Sequence, residues 1–314
     1  MKLNKLALVT GGAGFVGSWL CDRLLEMGLH VICVDNLASG NRRNIANLFT
    51  NKKFKFVEYD VTKPMNIRGA VNYVFNLASR ASPVDFKKYA IDILLANSTG
   101  TRNALELARQ KKARLLLASS SEVYGDPLEH PQKEEYRGNV STTGPRSPYD
   151  EAKRFGEALA SAYHKTHGMD IRIARIFNTY GPRMRNDDGR VIPNFITQAL
   201  KGRPITVYGD GSQTRSFCYI DDLIDGISKL MFVDGLGGEV VNLGNPDEIN
   251  VLEVAKLVKK LTGSTSKIVF KHLPQDDPIR RRPELSRAKR LFGWKPAVSL
   301  VEGLGKTIEY SQMK

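Results

Sequence analysis

Tyr149 and Lys153 carry the first chemical suggestion. In Tyr149-Asp150-Glu151-Ala152-Lys153 they stand four residues apart, on one helix face. A free phenol titrates near ~10, too high for a base at neutral pH. A neighbouring ammonium favours the phenolate, and so would a second positive charge beside it. Bringing the phenol to about 7 takes about three units, or about 4 kcal/mol, which two close cations in a dry site can supply. A second group is Ala118-Ser119-Ser120-Ser121-Glu122-Val123-Tyr124-Gly125, at the end of an apolar run. In open α/β sheets ligands bind at the carboxyl ends of parallel strands, so a serine there can hold the hydroxyl that Tyr149 deprotonates.

A third pattern supplies the cofactor. Gly11-Gly12-Ala13-Gly14-Phe15-Val16-Gly17 follows the first apolar run and opens a helix. Gly11 permits a tight turn, Gly14 lets backbone approach a pyrophosphate, and Gly17 allows close helix–sheet packing. The helix N-terminus offers N–H groups and partial positive charge to the phosphates. Asp35 ends the next strand, where a carboxylate can accept both adenosine ribose hydroxyls. It would repel a 2′-phosphate, so the reading is NAD over NADP. Asp60 and Val61 end the third strand, and Asp60 can meet the adenine amino group. Asn36, Gly40, Leu77, Ala78 and Ser79, on loops at the same sheet edge, complete the expected cofactor contacts, together with Tyr149 and Lys153.

These groups need a scaffold. Leu6–Thr10, His30–Asp35, Phe54–Asp60, Tyr73–Ala78, Leu115–Ala118 and Ile171–Arg175 read as strands. Phe15–Met27, stopped by Gly28, and Leu94–Lys112 read as helices between them. Another helix holds Tyr149, with Ser147 as N-cap, Pro148 in the first turn and Asp150 as the reciprocal capping partner. Strands alternating with helices predict an α/β fold, a doubly wound parallel (Rossmann) sheet. Beyond Asn178 short Gly- and Pro-rich segments predict a smaller mixed α/β substrate domain. Asn250 with Glu253 and Ser299 with Glu302 should open two more helices. The expected division is 1–177 plus 217–248 for NAD and 178–216 plus 249–314 for the substrate.

The 314 residues are 41% hydrophobic and 25% charged, as in ordinary globular chains. No apolar run approaches the ~20 residues of a membrane span. The strand pattern begins at Leu6, leaving no room for a secretory signal. Cys21, Cys33 and Cys218 lack metal-like spacing and read as reduced, buried thiols, so a cytoplasmic protein without a metal is expected. The net charge of +14 is spread out, with one dense run at Arg280–Arg282. That suits a small polyanion better than nucleic acid, for which no recognition module is present.

Longer motifs then resemble a known family. Ser119 through Pro127 with His130-Pro131-Gln132, Gly144-Pro145-Arg146-Ser147, and Ala174 through Met184 are similar to extended short-chain dehydrogenase/reductase enzymes acting on nucleotide sugars. So are Asp187 through Val191, Val207 through Phe217, Asp276-Asp277-Pro278 with the arginine run, and Gly293-Trp294. Within that superfamily the closest resemblance is to the UDP-glucuronic acid decarboxylases (UDP-xylose synthases). Related 4,6-dehydratases place an acid where this chain has Ser121, and related 4-epimerases generally lack the Glu122 equivalent. The resemblance implies decarboxylation of UDP-glucuronate, with 4-epimerisation as the alternative. It implies roles for Ser120, Ser121, Glu122 and Arg281 beside Tyr149 and Lys153. It places the UDP-sugar against Asn178, Val191, Tyr208, Gln213, Arg215 and Arg281, and leaves Arg280 and Arg282 as surface charge. It also implies a homodimer through the two long helices. The chain departs from the family at Leu95-Ala96, where Lys-Thr is frequent, and at Arg80, an extra charge.

Overall fold

A computed structural model describes residues 5–273 and 280–313. The Asp276-Asp277-Pro278 motif lies outside the described residues. The first half comprises β1 (Leu6–Thr10), α1 (Phe15–Glu26), β2 (His30–Asp35), β3 (Phe54–Glu58), β4 (Tyr73–Asn76), the short α2 (Asp85–Lys88), α3 (Ala90–Asn97), α4 (Thr99–Lys111), β5 (Arg114–Ser120), α5 (Ser147–His167) and β6 (Ile171–Ile176). The second half adds β7 (Thr179–Tyr180), α6 (Val191–Leu200), β8 (Ile205–Tyr208), β9 (Thr214–Ser216), β10 (Cys218–Tyr219), α7 (Ile220–Phe232), β11 (Val240–Leu243), β12 (Glu248–Asn250), α8 (Val251–Thr262), β13 (Ile268–Lys271), β14 (Arg280–Arg281), α9 (Ser286–Phe292) and α10 (Leu300–Gln312).

Seven parallel strands form the main sheet in the order β11-β6-β5-β4-β1-β2-β3. Helices cover both faces, so its central strands are apolar throughout rather than alternating. In β1, Ala7 and Val9 face the layer holding Leu20, Leu24 and Ile227, while Leu8 faces Ala104, Leu105 and Ala108. Val9 pairs with Cys33 on one side and Phe75 on the other, which aligns the carboxyl ends of β1, β2 and β4 at one edge. The chain leaves this sheet after β6 and rejoins it at β11, beside β6. Between and after those strands it builds the smaller region, with β8 beside β13 and a three-stranded sheet β12-β9-β14.

Trp294 locks the end of the chain to this frame. It is fully buried and its Nε1 donates to the Asp222 carbonyl at 3.1 Å. The Asp222 carboxylate accepts the Ala297 and Val298 amides at 3.0 and 2.9 Å. Trp294→Ala should lower the unfolding free energy by about 3–5 kcal/mol, read as a shifted urea midpoint at unchanged slope.

Two local expectations are corrected. The helix read as Leu94–Lys112 begins earlier and bends at Ser98, whose Oγ donates to the Leu94 carbonyl at 2.6 Å; such back-bonding bends helices. At α5 the N-cap is Arg146, not Ser147, and no side chain caps it. The helices opened by Asn250 and Ser299 form as expected, but only Ser299 caps through its side chain, accepting the Glu302 amide. All three cysteines are free and buried.

Candidate active site

One cavity of about 1130 Å³ runs along the carboxyl edge of the sheet and under the smaller region. Its first end is the glycine turn. Gly11 adopts φ +69°, which other residues rarely tolerate, and a Cβ on Gly17 would stand 2.1 Å from the Gly11 carbonyl oxygen. No side chain caps α1 at Gly14, leaving the amides of Phe15, Val16 and Gly17 directed at the cavity end. Asp35 is buried; its Oδ2 accepts the Ala13 amide at 3.0 Å and its Oδ1 the Leu37 amide at 2.8 Å. Burial raises its pKa while these amides pull it back. Gly40 lies against that carboxylate, where a Cβ would come within 2.7 Å of Oδ1. Asn36, Asp60, Val61, Leu77, Ala78 and Ser79 line the same end. Thr10 Oγ1 accepts the Leu77 and Ala78 amides and donates to Asn76, which fixes that loop. A close-fitting turn, an uncapped helix end and a buried acid suit the adenosine diphosphate half of a dinucleotide. Gly17→Ala must displace backbone, so its cofactor Kd should rise at least about tenfold in a fluorescence titration, with the far-UV spectrum retained.

The reactive groups sit mid-cavity. Tyr149, in the first turn of α5, is buried, and Phe86 of α2 stacks on its ring with centroids 5.0 Å apart. The Ser120 hydroxyl, which accepts the Glu122 amide at 3.3 Å, favours the ionised form of the phenol. Lys153 Nζ stands 5.5 Å from the Tyr149 ring centroid and donates to the Ala118 carbonyl at 2.8 Å. The expected depression of the phenol is not produced by the protein's own groups. Burial pushes Tyr149 up to about 12, against the pull of Ser120, and burial pushes Lys153 down to about 8. Burial works against the charged form of each group, and the cation that pulls on the phenol is Arg190 rather than Lys153, which at about 8 still holds its proton at neutral pH.

Beside them lies an ion cluster. Glu122, on the turn after β5, pairs with Arg146 at 2.7 Å and with Arg281. Arg281 also donates to the Ser121 hydroxyl at 3.4 Å and the Gly125 carbonyl at 2.7 Å, and it is 2% exposed. Burial alone would raise the Glu122 pKa, but the two guanidiniums hold it down to about 2. Its unfolded value is near 4.5, so its contribution, about 3 kcal/mol, is complete above pH 4.5 and disappears as pH falls toward 2. The urea midpoint should therefore drop more steeply across that window in the native protein than in Glu122→Gln.

The far end holds the remaining expected residues. Asn178, Val191, Tyr208, Arg215 and Arg281 line the cavity, whereas Gln213 stands behind it, donating to the Tyr208 carbonyl at 2.7 Å. Arg280 is exposed, but Arg282 is half-buried and its backbone pairs with Gln132, so it is not simple surface charge. Arg80 stacks on Tyr89 at 3.8 Å and pairs with Asp85 at 3.6 Å, beside Leu95 and Ala96 in the cavity wall. Sequence reading gave no individual role to Arg146, Arg190 or Phe86. Arg146 and Arg190 are the N-caps of α5 and α6, a position where the helix dipole disfavours cations. Arginine directly before the predicted α5 helix is the available signal; the sequence reading places no helix at α6. Each is offset by an acid, Glu122 for Arg146 and Asp188, at 2.5 Å, for Arg190. Phe86 left no such signal. Among the described residues no acid, histidine or cysteine cluster could hold a metal, and no helix is long and apolar enough to cross a membrane.

The model of the NAD dependent epimerase/dehydratase family matches residues 7–244, and the chain belongs to that family, a branch of the extended short-chain dehydrogenase/reductases. Solved members share its fold closely. UDP-glucuronic acid 4-epimerase from Bacillus cereus, solved with UDP-glucuronic acid and NAD, superposes with a TM-score of 0.89 at 31% identity, over 98% of this chain and 100% of that one. DesIV, a dTDP-glucose 4,6-dehydratase from Streptomyces venezuelae solved with NAD, gives 0.90 at 29% identity, over 98% and 97%. Sequence similarity is stronger toward one group. The chain is 50% identical over 309 residues to UDP-glucuronic acid decarboxylase 1 of Xenopus tropicalis, covering 98% of this chain and 72% of that one. It is 50% identical over 301 residues to UDP-glucuronic acid decarboxylase 1 of Arabidopsis thaliana, covering 96% and 68%.

Proposed function

We propose that the protein decarboxylates UDP-glucuronate to UDP-xylose through a 4-keto intermediate, with NAD as its cofactor and no net redox change. The observation that carries this reading is the Arg281 guanidinium, buried beside Ser121 and Glu122 in the wall of the cavity that Tyr149 also lines, where it can meet a sugar carboxylate. Bound NAD would supply a reversible hydride acceptor for sugar C4. Gly11, Gly14, Gly17 and Asp35 would hold its adenosine diphosphate half. Tyr149 Oη takes the C4 hydroxyl proton and gives it back at the end, with Ser120 holding the oxygen in line. A ketone at C4 makes the C5 carboxylate that of a β-keto acid; CO₂ leaves, its bonding pair forms the enolate, and a proton from solvent water then completes C5. Glu122, kept ionised by its two guanidiniums, anchors Arg281 and is a poor proton donor to C5. Ser121, neutral at the corresponding dehydratase acid position, adds no repulsion against the carboxylate. Asn178, Val191, Tyr208 and Arg215 would hold the UDP moiety, with Gln213 bracing Tyr208.

Incubation with UDP-glucuronate should release CO₂ and give a product of UDP-xylose mass. Unchanged substrate, or an isomer of unchanged mass, would refute decarboxylation; the isomer would instead identify the 4-epimerisation that the Bacillus cereus structural neighbour performs by name.

The proposal includes a cytoplasmic homodimer. Exposed Ile91, Leu94 and Leu95 of α3 and Phe155 of the adjacent α5 offer an apolar surface for a second copy, and the free cysteines suit a reducing compartment. Light scattering should give twice 35.0 kDa.

A further inference from the structure

Asp150 follows Tyr149 in α5 and is 5% exposed, and its Oδ1 has no hydrogen-bond partner among the described residues. A buried carboxyl left this way normally has a reason. Its charged neighbours come from two elements besides its own, Glu122 from the turn after β5 and Arg281 from β14; Arg146 and Glu151 belong to α5 itself. Arg190 reaches Glu122 and Tyr149 from α6 but carries its own counter-ion, Asp188. Glu122, Arg146 and Arg281 together sum to one positive charge. An ionised Asp150 would cancel it.

We propose that Asp150 sets the net charge of the Glu122–Arg146–Arg281 cluster, and so the strength of its hold on the carboxylate of an acidic nucleotide sugar. The proposal rests on the acidic-sugar reading above and makes Asp150 a positioning residue rather than a catalytic one. Burial, then the Glu122 charge, pushes its carboxyl up to about 8 against the pull of the two guanidiniums. At neutral pH the cluster keeps its positive charge; above pH 8 it loses it. Lys153 titrates in the same range, so the test compares two proteins and two ligands by binding, not turnover.

The experiment is calorimetric titration in a Tyr149→Phe background, which should bind the sugar with little turnover, of the NAD-loaded protein with its native Asp150 and of Asp150→Asn, with UDP-glucuronate and UDP-glucose at pH 6.5 and pH 9. The protein with native Asp150 should bind UDP-glucuronate about tenfold more weakly at pH 9 than at pH 6.5. Asp150→Asn should remove that weakening, and UDP-glucose, lacking the carboxylate, should show none in either protein. A flat native profile with UDP-glucuronate bound overturns the role of Asp150 alone, as does an equal weakening in the variant or with UDP-glucose. No binding of UDP-glucuronate at any pH, with UDP-glucose bound, overturns the acidic-sugar reading itself. A second readout is thermal. A carboxyl raised on folding costs stability as pH climbs from its unfolded value to its folded one, so Asp150→Asn should melt above the native protein by a margin that grows from pH 5 to pH 8. Parallel melting profiles overturn the proposal.

Discussion

Tyr149→Phe should lower kcat for UDP-glucuronate by about 10³-fold while the protein still binds NAD. The substitution removes one oxygen and keeps the ring, so the stack on Phe86 and the packing of α5 survive. What is lost is the phenol oxygen proposed to carry the C4 proton. The protein's own groups leave that phenol near 12, so the wild-type rate should also depend on positive charge arriving with the oxidised cofactor. Rates of native and variant enzyme within tenfold of each other, at matched cofactor occupancy, would remove Tyr149 from the chemistry.

The second large effect is expected at Arg281→Lys. Arg281 satisfies Glu122, the Ser121 hydroxyl and the Gly125 carbonyl from one planar fork. A lysine ammonium is a point charge on a different reach and cannot reproduce that geometry. With Glu122 left short of a partner in a buried site, kcat/KM for UDP-glucuronate should fall by about 10²–10³-fold, or about 3–4 kcal/mol. Affinity for UDP alone should change little, because UDP has no carboxylate to place there. A threefold change or less in kcat/KM would show that Arg281 is a structural tie and nothing more.

Much of this organisation was legible in the residues. The glycine turn, Asp35 and Tyr149 with Lys153 are local patterns, each fixed by its position on one strand or helix, and the structure puts them around one cavity. His30–Asp35 formed with its expected bounds because β-branched and apolar residues end cleanly at a loop. The α5 start was harder to read. Ser147-Pro148 looks like a cap, yet the tertiary demand for Arg146 beside Glu122 overrode local capping preference. The protonation states were illegible for a related reason. Spacing shows that Tyr149 and Lys153 can meet, but only the packed surroundings show that desolvation dominates both. Gln213 fell outside the cavity because its amide is spent on the Tyr208 carbonyl, a contact no spacing announces.

The guanidinium at the reacting end comes from β14, 160 positions beyond Ser121 in the chain. A ribosome therefore makes the glycine turn, Asp35 and Tyr149 well before it delivers Arg281, the residue proposed to meet the sugar carboxylate. A nascent chain paused between those points holds its base and its nucleotide cradle but lacks the clamp for the carboxylate.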